Sequence, residues 1–177
     1  PLHPLKFQNF APYQDYMEAA TRHMVRERGY RRSCLLYQDD DYGLEVMKGV
    51  EKALAGLGTE LVERTSYKRG ATDLSSQVAR LRAARCDFVV LATVVRETVA
   101  AMSEARKIGW DVDMLVTASG YSAQTHELGG AAVEAQHDVD LGILRGQQDD
   151  RHRRAHANLA AHLGSRHPGE HQVEEHD

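Results

Sequence analysis

The chain of 177 residues carries only two cysteines, one tryptophan, three phenylalanines and four prolines, and its charges favour neither sign strongly. Each scarcity removes a class of protein. Two cysteines, Cys34 and Cys86, cannot supply a four-thiolate metal site, and their separation is no Cys-x-x-Cys redox motif. No stretch of about twenty apolar residues occurs, so no helix spanning a membrane is expected. No signal peptide precedes Pro1, and a first residue other than Met suggests a processed or truncated chain. Lys and Arg total 22 against 26 Asp and Glu, for a net charge of -4, and the bases alternate with acids. Phosphate backbones need clustered cations, so no nucleic-acid partner is expected. The densest basic stretch, Arg26 to Arg32, reads as a solvated helix end favoured by the helix dipole.

Catalytic machinery is missing as well. No Gly-x-Gly-x-x-Gly follows the first apolar strand and no Gly-Lys-Ser/Thr occurs, so nucleotide phosphates find no backbone cradle. His23 lies in the first predicted helix and His126 beyond the fourth predicted strand, with no nucleophile elbow beside either. No enzymatic activity and no cofactor are expected.

What is present is a regular alternation. Hydrophobic residues make up 42% of the chain, enough to bury a core, and the length suits one domain, or one complete lobe with part of another. Tyr13, Met17, Ala20 and Met24 recur at three and four residues before Gly29, which predicts an amphipathic helix with a glycine stop. The strand Cys34 to Gln38 follows, then a helical stripe of Met47, Val50, Leu54 and Leu57 closed by Gly58, then a strand-like segment from Glu60 to Tyr67. Thr72 or Asp73 is placed to cap a helix carrying Leu74, Val78 and Leu81, and Asp87 to Ala92 is a nearly unbroken apolar run, as in a strand buried on both faces. A further helix from about Arg96 to Ile108 turns Val95, Val99 and Met102 inward and stops at Gly109, and Asp113 to Ala118 makes a fourth strand. Strands alternating with helices of this length predict an α/β fold, a doubly wound parallel sheet with strand order like 2-1-3-4. Each cysteine opens an apolar strand, where it serves as a small buried hydrophobe; if the two strands are neighbours, the thiols come within disulfide range, which requires an oxidising compartment.

After Tyr121 the character changes: no Phe, Trp, Tyr, Lys, Cys or Met appears again, and histidines crowd the remainder. The expected division is an α/β lobe over 1–135 and a His- and Arg-rich tail over 136–177, disordered or partly helical around Ala155 to Leu163 because few large apolar side chains are spaced along it. His152 and His156 stand four apart, which is metal-ligand spacing, but the glutamate of a His-Glu-x-x-His site is absent and a solvated tail is expected.

In a parallel sheet, ligands are met beyond the carboxyl ends of the strands. Four segments share that edge: Asp39 to Tyr42, Ser66 to Gly70, Thr93 to Arg96, and Ala118 to Tyr121. Asp39, Asp40 and Asp41 could in principle hold a hard cation, but a receiver-type site also needs an aspartate ending the third strand, and that strand ends Ala92-Thr93-Val94. A solvated turn with Asp41 capping the next helix is the preferred reading, and no metal is expected. Tyr42, an aromatic with a polar tip at a helix start, can either close over a small ligand or be an ordinary half-buried tyrosine.

Several motifs in order tip that balance: Leu36-Tyr-Gln-Asp-Asp-Asp-Tyr-Gly43, Gly70-Ala-Thr-Asp-Leu-Ser75 leading into Val78-Ala-Arg-Leu81, Cys86-Asp-Phe-Val-Val90, and Glu104-Ala-Arg-Lys-Ile-Gly-Trp110. With them the segment from about Tyr13 to Gly130 resembles the second lobe of branched-chain amino-acid-type periplasmic binding proteins, the extracellular ligand-binding receptors of ABC importers. The resemblance implies one lobe of a bilobed fold that closes by a hinge around a small-molecule ligand and signals to a membrane permease in the periplasm. It implies ligand contacts at Tyr42 and at Val94, and an ammonium-binding acid near Ala118 or Ser119. Neither of those two is acidic, and a buried ammonium without a carboxylate is costly, which favours a less polar carboxylate or an aromatic acid over a free amino acid. The candidate ligand-binding set is therefore Tyr42, Asp41, Thr93, Val94, Ala118, Ser119 and Tyr121.

Members of that family are longer, the additional part being a first lobe that supplies the other wall of the cleft. The family pattern fades from about Gln136, which suggests a fragment or a truncated or frameshifted reading frame, and a lone lobe is expected to bind weakly or self-associate. The alternatives are the effector-sensing lobe of a bilobed receptor or transcriptional regulator, and a small flavodoxin-like enzyme or receiver, which the missing phosphate cradle disfavours.

Overall fold

The computed structural model describes residues 11–134, and the predicted tail over 136–177 lies outside them. The helix α1 (Tyr13–Arg28) leads into β1 (Ser33–Gln38), α2 (Asp41–Ala55), β2 (Glu63–Tyr67), α3 (Ser75–Ala83), β3 (Phe88–Ala92), α4 (Val95–Lys107), β4 (Asp113–Val116), and the short helices α5 (Ala123–Gly129) and α6 (Ala131–Glu134). The four strands pair in parallel in the order β2-β1-β3-β4. This is the doubly wound α/β sheet that the alternating periodicity predicts.

Successive strand residues point to opposite faces, and that alternation sorts the core into two layers. Leu35, Phe88 and Val90 pack with Met17, Met24, Val46, Val50 and Leu54 of α1 and α2. Leu36, Val89 and Leu91 pack with Val78 and Leu81 of α3 and Ala101, Met102 and Ala105 of α4 on the other side. A strand covered on both faces has no polar positions to spare, and all five residues of β3 are buried. Gly29 ends α1 in the left-handed region at φ 69° and returns its N–H to Val25 O at 3.0 Å. Gly43 and Gly49 are glycine for another reason: a Cβ would lie 1.9 Å from Gln38 O at the first and 2.3 Å from Gln14 O at the second. Helix α2 can therefore press against the end of β1 and the start of α1.

Some boundaries shift from the sequence expectation. β2 begins at Glu63 rather than Glu60. β4 ends at Val116, leaving Thr117 and Ala118 to the loop beyond it. Asp73 does act at the start of α3, accepting the N–H of Ser75 at 2.8 Å, and Thr72 does not cap. On α4 the inward face is Glu97, Thr98, Ala101, Met102 and Ala105; Val95 and Val99 are only half-buried, Val99 still packing against the core.

The amino edge of the sheet is strongly fastened. Cys34 and Cys86 form a disulfide with Cα atoms 5.9 Å apart, which the adjacency of β1 and β3 permits and their spacing in sequence could not decide. The Asp87 carboxylate accepts the N–H groups of Arg31 and Arg32, both at 2.9 Å. The Arg32 guanidinium in turn donates to Ala84 O at 2.7 Å and Arg85 O at 3.0 Å, satisfying carbonyls at the end of α3. Tyr30 stacks on Phe88 with ring centroids 4.7 Å apart and donates its hydroxyl to Asp113. Among the described residues no helix is long and apolar enough to cross a membrane.

Candidate functional site

The opposite, carboxyl edge is held by hydroxyl groups. Tyr42 in the first turn of α2 reaches across β3, donating to Thr93 O at 3.1 Å and sharing a 2.6 Å hydrogen bond with Thr117 Oγ1. Thr117 lies 3.3 Å from the same carbonyl, so the ends of β3 and β4 meet under the tyrosine tip. The Tyr13 ring stands edge-on to Tyr42 at 4.9 Å and 75°, and its hydroxyl bonds Ser119. Tyr16 follows at 5.4 Å from Tyr13, and its hydroxyl oxygen accepts the N–H of Ala118 at 3.3 Å. Three half-buried phenols from α1 and α2 thus tie down the loop that follows β4.

Burial disfavours the phenolate, and it governs the protonation of this cluster. It pushes Tyr42 up to about 12 despite the opposing hydrogen bonds from Thr117 and Ser119. It raises Tyr16 as well, against the backbone bond from Ala118, and raises Tyr67 at the end of β2. All three stay neutral across the physiological range.

The acidic turn serves the backbone. Asp40, not Asp41, caps α2: its Oδ1 accepts the N–H of Gly43 at 3.1 Å, while its other oxygen takes the Gln38 amide. Asp41 is the exposed first residue of the helix, because only a residue still extended can fold its carboxylate back over the first turn. Asp39 pairs with Lys68 at 2.5 Å in solvent, a contact of small energetic weight. Among the described residues no group of three or more His, Cys, Asp and Glu is placed to hold a metal ion.

The remaining candidates divide. Thr93 is fully buried with its hydroxyl bonded to Thr98 Oγ1 at 2.6 Å, so only its carbonyl joins the tyrosine network. Val94 is half-buried at the N-cap of α4, and Tyr121 stands exposed with its ring edge-on to His126 at 5.7 Å. Tyr42, Ser119, Ala118 and the Thr93 carbonyl come together; Tyr121 touches that group only through its backbone N–H, 3.4 Å from Ala118 O, and the side chains of Asp41 and Val94 take no part in its hydrogen bonds.

Sequence reasoning missed four residues at this edge. Tyr13 was read only as part of a helical stripe, Tyr16 was not singled out, and Thr117 was placed within the fourth strand. Glu97, 2% exposed, accepts the N–H of Gly70 at 2.9 Å and so fixes the turn after β2, while its second oxygen is buried without a hydrogen-bond partner. The carboxylate lies in the first turn of α4, where the dipole favours negative charge.

A family model for periplasmic binding proteins matches residues 3–173. The chain belongs to the periplasmic binding protein family. That family consists of substrate-binding proteins rather than enzymes. A Leu/Ile/Val-binding protein homolog 7 from Brucella abortus (strain 2308) is 32% identical over 110 residues, covering 60% of this chain and 28% of that protein. A fatty acid ABC transporter substrate-binding protein from Thermomonospora curvata superposes with a TM-score of 0.63 at 24% identity, over 70% of this chain and 32% of the other. A leucine-binding protein from Thermotoga maritima gives 0.62 at 19% identity, over 66% and 33%. At these identities the structural likeness shows the fold, and this chain's match spans about a third or less of each relative's length.

Proposed function

We propose that this chain is one lobe of a solute receptor, capturing a small organic acid or amino-acid-like ligand at the carboxyl edge of its sheet. The ligand would be enclosed against a first lobe, and the closed receptor would deliver it to the permease of an ABC importer in the periplasm. The observation that carries this reading is the tyrosine network at that edge, in which Tyr42 joins Thr93 O and Thr117 and Tyr13 joins Ser119 where a parallel sheet meets its ligands. The disulfide between Cys34 and Cys86 supports an oxidising compartment. The loop at 117–122 carries no carboxylate to balance an ammonium, which favours the acid over the amino acid.

Half a cleft gives weak capture, and its free face would favour self-association. The test is calorimetric titration of the chain with branched-chain amino acids and with aliphatic and aromatic carboxylates, alone and with a first lobe supplied in trans. Binding that rises when the first lobe is added and falls in Tyr42→Ala is expected. A panel silent in both arrangements, or affinity untouched by Tyr42→Ala, would sink the reading.

A further inference from the structure

We propose that Tyr13 and Tyr16 of α1 extend the ligand wall begun by Tyr42 and select an acid with a flat aromatic body. The proposal rests on the receptor function argued above and names the ligand class for the same site.

The three rings form a continuous series, 4.9 Å from Tyr42 to Tyr13 and 5.4 Å from Tyr13 to Tyr16, at tilted and edge-on angles that suit aromatic packing. Each hydroxyl oxygen is tied to the lobe itself: Tyr42 to Thr93 O and Thr117, Tyr13 to Ser119, Tyr16 to the N–H of Ala118. The Tyr42 and Tyr13 hydroxyls are committed to those partners, and Tyr16, which accepts the Ala118 N–H, keeps its own O–H; the three residues are half-buried, and carbon contact with their rings breaks none of these bonds. The cluster therefore offers mainly carbon, with the partly positive ring edges that accompany it and one phenolic O–H, that of Tyr16. A neutral wall of this kind does not repel a carboxylate, and it rewards a planar apolar body more than a flexible chain.

A competing role for Tyr13 and Tyr16 is mere bracing of the loop after β4. The two differ in what phenylalanine can replace: a brace needs the hydroxyl, a wall needs the ring. Phenylacetate and 4-methylpentanoate, acids of similar length, are the probes, followed by ligand-observed NMR and calorimetry on the whole chain, with thermal melts to confirm folding. Phenylacetate is expected to bind roughly tenfold more tightly than 4-methylpentanoate. Tyr13→Leu and Tyr16→Leu should remove most of that preference, and Tyr13→Phe and Tyr16→Phe should restore it. A wild type without preference for the aromatic acid, or leucine variants that keep it, overturns the proposal, and so does a phenylalanine variant as impaired as the leucine one. If neither acid binds but another member of the carboxylate panel does, the aromatic wall falls and the receptor reading stands. If nothing binds, both fall.

Discussion

Replacing Cys34 and Cys86 together by alanine opens a covalent loop spanning 52 residues of sequence between β1 and the approach to β3. In the chain-entropy description, closing a loop of that length lowers the entropy of the unfolded ensemble by about 14 cal/mol/K, or about 4 kcal/mol at 25 °C. A domain of this size has a total stability of roughly 5–15 kcal/mol, so the loss is a large fraction of what holds it folded. Urea unfolding followed by circular dichroism should show the midpoint falling by about 2 M at ordinary m-values, with m rising as the unlinked chain expands. The melting temperature should drop by about 10–15 °C. Both cysteines are buried, Cys34 at 0% and Cys86 at 5% exposure, so alanine also leaves a small cavity. The wild type under reductant separates the two contributions, since it loses the link and keeps the sulfur atoms. Two titratable thiols in the unreduced, denatured protein would refute the link outright. A loss below about 1 kcal/mol in the reduced wild type would refute the loop-entropy account.

Three further outcomes are expected. Glu97→Ala removes the acceptor of the Gly70 N–H and should cost about 2 kcal/mol, with faster tryptic cleavage after Lys68 or Arg69; Glu97→Gln keeps an acceptor and should lose less, and equal cleavage in all three proteins would contradict the clamp. Gly43→Ala drives a methyl into the Gln38 carbonyl and should destabilise by about 3 kcal/mol or more, checked by the same urea midpoint. In alkali, the folded chain holds the Tyr42 proton to about 12 while the unfolded chain releases it near the ordinary value of about 10. Stability should then be flat below that ordinary value and fall as pH rises through the interval; tyrosinate absorbance that titrates fully before unfolding would contradict the burial.

The repeating units were legible because burial on both faces of a parallel sheet imposes composition at every strand residue, as in Phe88 to Ala92. The capping residue was misplaced by one position, since three successive aspartates offer the same chemistry and only backbone geometry chooses Asp40. Glu97 escaped because a charge in a first helical turn reads as solvated, and its burial depends on the Gly70 turn folding over it. Tyr13 and Tyr16 escaped for a similar reason. Their partners lie 106 and 102 residues away, at Ser119 and Ala118, a distance at which periodicity carries no information.

The two ends of the sheet are fastened by different chemistry, and that difference sets where the lobe can yield. At the amino end a covalent bond, the paired N–H groups on Asp87 and the Arg32 guanidinium must all give way before β1 and β3 can separate. At the carboxyl end the side-chain ties are hydrogen bonds of the Tyr13, Tyr16 and Tyr42 hydroxyls, which can break one at a time. Local opening is thereby easier in the loop after β4 than at the opposite end of the sheet, which keeps the strands in register.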